Sequence, residues 1–143
     1  MIQGSVFYDP QFLFHDGELG QKLFVLLNDG QDGSFLTVLT TTKQKGKSGV
    51  AGCHAAQFPA NFHFPAGSDF PNHTWLLLDE IYEFIGYELG QKIKKSLISQ
   101  KLPLSKGSHA AVLDCAVESE DISTQHRNRL LAFRESLKFA TLT

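Results

Sequence analysis

The sequence predicts an α+β fold, a strand-rich body followed by helices. Two observations carry this. Most of the twelve phenylalanines precede residue 87, in short apolar runs parted by glycine turns, as a half-buried sheet favours. Beyond residue 87 the apolar spacing becomes helical. There is no long linker or internal repeat, and 143 residues suffice for one core. The chain therefore reads as a single domain over 1–143, strand-rich over 1–86 and helical over 87–143.

Strands are expected at Ser5–Tyr8, Lys22–Leu27, Ser34–Thr41, Asn61–Phe64, Thr74–Leu78 and Ile81–Ile85. Asn28-Asp29-Gly30-Gln31-Asp32-Gly33 reads as a hairpin loop, because Asn, Asp and Gly tolerate positive φ. Several strands at short intervals favour an antiparallel meander or small barrel. Leu89, Ile93 and Leu97 recur at helical spacing with lysines between them, so a helix is expected over Leu89–Lys101, ended by Pro103. A second is expected near Ala110–Glu118. A third follows Ser123 as N-cap, with Ile122, His126, Leu130, Phe133 and Leu137 on one stripe.

Net charge is −2, so bulk attraction to nucleic acid is not expected. The charges are segregated, however. Lys43, Lys45 and Lys47 share one loop, and Lys92, Lys94, Lys95, Lys101 and Lys106 crowd a later segment. Such clusters are either solvated faces or local attractors of polyanions. Cys53 and Cys115 read as free, buried thiols of a protein in a reducing cytoplasm. No apolar run is long enough to span a bilayer, and no signal peptide is evident.

Cys53, His54, His63 and His73 lie close in sequence, but their spacing fits neither CxxC pairs nor HxxxH on a helix. No metal and no cofactor is expected. Cys53 beside His54 lacks an evident orienting Asn or Asp for nucleophilic work. There is no Walker or GxGxxG loop. Phe62-His63-Phe64 and Phe70 to Trp75 could stack bases, but fit core and turn roles as well. Asp79, Glu80 and Glu83 read as solvent-side carboxylates.

One stretch is more specific. Gly4 opens the first strand, and a polar loop with His15 follows. Lys22 then leads the apolar Leu23-Phe24-Val25-Leu26-Leu27, and the next strand ends in Val38-Leu39-Thr40-Thr41-Thr42. With Gly52-Cys53-His54 after the next loop, this pattern resembles the PemK/MazF-like toxins, mRNA endonucleases of bacterial toxin–antitoxin pairs, over roughly residues 4–85. The resemblance implies a small antiparallel SH3-like β-barrel with two or three C-terminal helices. It implies a homodimer, single-stranded RNA as substrate, and an acidic antitoxin as partner. The chain departs from the family where Arg-Pro is usual and Lys22-Leu23 stands here; its first arginine is Arg127. Lysine is a mobile point charge without arginine's planar fork.

Cleavage by the 2′-hydroxyl needs a base, an acid and a cation or donor for the phosphorane. On this resemblance Lys22 steadies the transition state, Thr41, with Thr40 or Thr42, holds a phosphate oxygen, and His15 is an acid or base. Lys43, Lys45, Lys47 and His54 hold the RNA backbone. Each residue also has a plain structural reading, as a strand start, a β-branched strand end or a surface loop residue. Two other functions stand as alternatives to this expectation. One is a non-catalytic poison of a protein target acting through the last helix, and the other a nucleic-acid-binding module without chemistry.

Overall fold

The computed structural model describes residues 3–142. Its strands are β1 (Val6–Leu13), β2 (Leu19–Leu26), β3 (Phe35–Thr41), β4 (Gly52–His54), β5 (Asn61–Phe64), β6 (Thr74–Leu77), β7 (Tyr82–Phe84) and β8 (Ser99–Lys101). Helices α1 (Gly86–Lys94), α2 (Lys106–Glu118) and α3 (Thr124–Leu142) complete the α+β fold. Every strand pair among the described residues is antiparallel, and the order is β4-β5-β6-β3-β2-β1-β8. The path is open: among the described residues its end strands, β4 and β8, are not paired with each other. β3 is the pivot. One edge bonds β2, while the other is shared between β7, opposite Phe35 to Thr37, and β6, opposite Thr40 and Thr41.

The Asn28–Gly33 loop joins β2 to β3 as a hairpin. The Asn28 side chain replaces part of the ladder: its Oδ1 accepts from the Leu36 amide at 2.8 Å and its Nδ2 donates to the Ser34 carbonyl at 3.1 Å. Gly30 and Gly33 have φ of 72° and 124°, which side chains with a Cβ resist. β1 carries a bulge. Asp9 pairs Lys22 and Phe12 pairs Gly20, so Pro10 and Gln11 oppose Gln21 alone. Pro10 has no amide proton to contribute there, and the Gln11 amide turns to Asp9 Oδ1 at 2.8 Å.

Both faces of the central strands are covered. α2 and α3 share one core with Val25, Leu36, Val38 and Leu76. On the other face Phe7, Phe12, Phe24, Leu26 and Phe35 pack with Leu89 of α1 and with Ile98. Phe12 meets Tyr82 edge-on at 5.0 Å, an arrangement that aromatic quadrupoles favour. This double burial shows in β3, which is buried at six consecutive positions from Phe35 to Thr40. Ser105 and Ser123 cap α2 and α3 by accepting from the amides of Ser108 and His126.

Two expectations are corrected. The helix expected over Leu89–Lys101 stops at Lys94. Ser96 adopts φ 57°, its amide donates to Ile93 O, and the Leu97 amide donates to Lys92 O; this pattern is a Schellman stop. The chain then forms β8 along the free edge of β1. Leu97, third in the helical spacing, is 54% exposed, while Ile98 fills the core. Secondly, Cys53 and Cys115 are not free thiols but a disulfide joining β4 to α2. No helix among the described residues is long and apolar enough to cross a membrane.

Candidate functional site

The β2–β3 ladder is paired only from Leu26–Thr37 to Phe24–Leu39. Beyond that point β3 turns its pairing to β6, and the two strands diverge. Divergence strips backbone carbonyls of their ladder partners, and buried carbonyls require replacements. Two side chains supply them. The Thr40 hydroxyl donates to Leu23 O at 3.2 Å, and the Lys22 ammonium donates to Thr40 O at 3.1 Å. The gap is a cleft of about 650 Å3. Lys22, Thr40, Thr41 and Thr42 line it, together with Lys43, Lys45, Lys47, Tyr8, Gln21 and Asp79.

The loop after β3 turns the lysines inward. Lys45 and Gly46 both have positive φ, 42° and 83°, and the Lys47 amide closes the turn on Gln44 O at 2.9 Å. Consecutive positive φ values mark a type I′ turn, which explains the glycine. Thr41 Oγ1 accepts from the Lys43 amide at 3.1 Å, which leaves the hydroxyl proton to donate elsewhere. The end of the loop is pinned from below. Trp75 Nε1 donates to Ser48 O at 2.9 Å, and the rings of His54 and His63 both bond Val50 O, at 2.7 and 3.1 Å.

Four ammonium groups thus face one carboxylate in a chain of net charge −2. Burial pushes the Lys22 pKa below the usual lysine value, and neighbouring Lys43 and Lys47 push it further. Lys47 is lowered by burial and then by Lys45, while Asp79 opposes the shift. Burial raises the Asp79 carboxyl above the ordinary range, and the charges of Glu80 and Asp121 add to this. Crowded, partly desolvated cations are stabilised by an incoming anion, so the cleft is built to take negative charge.

Of the residues singled out in the sequence, Lys22, Thr41, Lys43, Lys45 and Lys47 come together here. His15 and His54 are not among the lining residues. His15 lies in the β1–β2 turn, stacked on Tyr82 at 3.7 Å, with Nδ1 3.1 Å from Glu80. His54 bonds Val50 O at the end of the loop. Among the described residues no three His, Cys, Asp or Glu side chains converge as metal ligands. Cys53 is in the disulfide, and His63 is held between Val50 O and His73. Asp79, read from sequence as a solvent-side carboxylate, is the residue that reading missed. Its signal is position, immediately after the apolar Trp75-Leu76-Leu77-Leu78 run. No protein-family model matches the chain, and no curated protein sequence matches it.

Proposed function

We propose that this chain is a metal-independent endoribonuclease of the PemK/MazF-like toxin kind, cutting single-stranded RNA in the lysine cleft. The observation that carries this reading is the meeting of Lys22, Thr41 and the lysine loop in one concave site with a single carboxylate. Asp79, made more basic by burial, takes the proton from the 2′-hydroxyl. The 2′-oxygen attacks phosphorus, and the phosphorane's charge falls beside Lys22 and the Thr41 hydroxyl. Lys47, whose ammonium is made more acidic, gives a proton to the departing 5′-oxygen. The products are a 2′,3′-cyclic phosphate and a 5′-hydroxyl. The acid–base work thus falls to Asp79 and Lys47 and not to His15, which is engaged with Glu80 and Tyr82.

The SH3-like barrel belongs to the same reading. The division of β3 between β6 and β7 supports a sheet that bends in that manner. An acidic antitoxin would compete for the cleft by charge, and a homodimer is part of the proposal. One observation favours a second reading, capture of single-stranded RNA without chemistry: no arginine lines the cleft. A poison acting through α3 has less support. Arg127 bonds the carbonyls of Val117 and Ser119, and Arg129 bonds Asp32, Ser34 and Glu83.

The test is incubation of the purified protein with a long single-stranded RNA in EDTA. Discrete fragments ending in 2′,3′-cyclic phosphate are expected, with the rate falling about 10²–10³-fold in Lys22→Ala. RNA bound but intact at every pH would support capture alone, and equal cleavage by the variant would remove Lys22 from the mechanism.

A further inference from the structure

The covalent link between the two halves of the molecule lies next to the cleft loop. Cys53 is the middle residue of β4, which has three residues, pairs among the described residues with β5 alone, and directly follows the lysine loop. Its partner Cys115 is buried in α2, 1% exposed, whereas Cys53 is exposed. The bridge opens onto a surface concavity of about 650 Å3 flanked by Asp114, Glu118, Arg134 and Lys138. Cys53 is therefore the exposed residue of the pair and Cys115 the buried one.

We propose that Cys53–Cys115 is a thiol–disulfide exchange site whose substrate is a dithiol reductant, and that opening it frees the lysine loop from its anchor on α2. A thiolate of the dithiol attacks the sulfur of Cys53, the exposed residue of the pair. A mixed disulfide forms there, and Cys115 leaves as a thiolate that takes up a proton. The second thiol then attacks the reductant's own sulfur and releases Cys53. Two electrons pass to the protein, and the dithiol becomes a disulfide.

The mechanical consequence follows from what remains. After opening, β4 retains a three-residue ladder with β5 on one side only, which is marginal for a strand. His54 moves with β4, so its bond to Val50 O no longer ties the loop to the body. The side-chain anchors from the sheet are then Trp75 on Ser48 O and His63 on Val50 O. Against them acts the repulsion among Lys22, Lys43, Lys45 and Lys47, which line the same cleft. Oxidation holds these charges together in a binding-competent cleft; reduction lets them spread.

The experiment compares amide hydrogen exchange in the oxidised protein, the protein reduced with dithiothreitol, and Cys53→Ser. Residues 47–54 should exchange at least about tenfold faster in the last two, with β1, β2 and β3 as protected as before. Unchanged exchange over 47–54 overturns the proposal. Protection lost throughout the sheet also overturns it, because the bond would then support the whole fold. Glutathione supplied as a monothiol should be trapped on Cys53, and an adduct on Cys115 refutes the direction of attack. A single-stranded oligonucleotide reports separately on the cleft. Loosening of 47–54 with no binding in either redox state supports the exchange site and refutes the ribonuclease reading.

Discussion

Lys22 and Asp79 show how the site is set against the stability of the fold. Burial lowers the pKa of one and raises that of the other, so each ionised form costs the folded state something. For Asp79 the sign is definite. A carboxyl with a raised folded pKa contributes stability that is fully present below the ordinary carboxylate value and lost as pH rises through the raised value. Asp79→Asn should therefore raise Tm at neutral pH, and the gain should vanish in acid below the ordinary range. The same variant should lose cleavage, and with it the limb of the pH profile in which the rate climbs as Asp79 ionises. Thermal melts across pH check the first part, and a Tm difference independent of pH would refute it. Lys22 was legible in the sequence because a single cation leads a long apolar run. Asp79 was not, because a carboxylate after a strand looks the same whether it meets solvent or a cleft wall.

At the scale of elements, local pattern and tertiary competition part company at Ser96. The spacing of Leu89, Ile93 and Leu97 asks for a longer helix, but the vacant edge of β1 offers a ladder, and Ile98 a seat among Phe7, Phe12 and Phe24. The helix therefore ends on a serine with φ 57°, a conformation that costs a residue with a Cβ about 1 kcal/mol. Ser96→Gly should stabilise the protein by up to about 1 kcal/mol. Urea unfolding would show this as a higher midpoint at unchanged m, and a lower midpoint would mean that the Schellman stop is not limiting. The strands at 22–27, 34–41, 61–64 and 74–78 were readable from their apolar runs and turns. β4 and β8 were not, since three-residue edge strands such as Gly52-Cys53-His54 and Ser99-Gln100-Lys101 have no periodicity of their own.

For the whole molecule, the net charge of −2 conceals a cationic cleft in an otherwise acidic chain. Binding of a single-stranded oligonucleotide should therefore weaken with salt. Replacing Lys43, Lys45 or Lys47 by glutamine should flatten the slope of log K against log salt by about 0.7 each. A slope unaffected by all three would place the strand elsewhere. The Cys53–Cys115 bond closes a separation of 62 residues, which the chain-entropy account values at about 4 kcal/mol. That is within the total stability of an ordinary domain, so the reduced fold should persist. By itself the sequence determined the α+β class, the order of its strand-rich and helical halves, the helix cap at Ser123, and the clustering of Lys43, Lys45 and Lys47 in one loop. Those features depend on near neighbours, through period, turn chemistry and local charge. Only the tertiary structure decided that β2 and β3 diverge beyond Phe24, that Asp79 faces Lys47 across the gap, and that Cys53 meets Cys115. Each of these joins residues far apart in the chain, and which pair forms depends on how the sheet packs on its core.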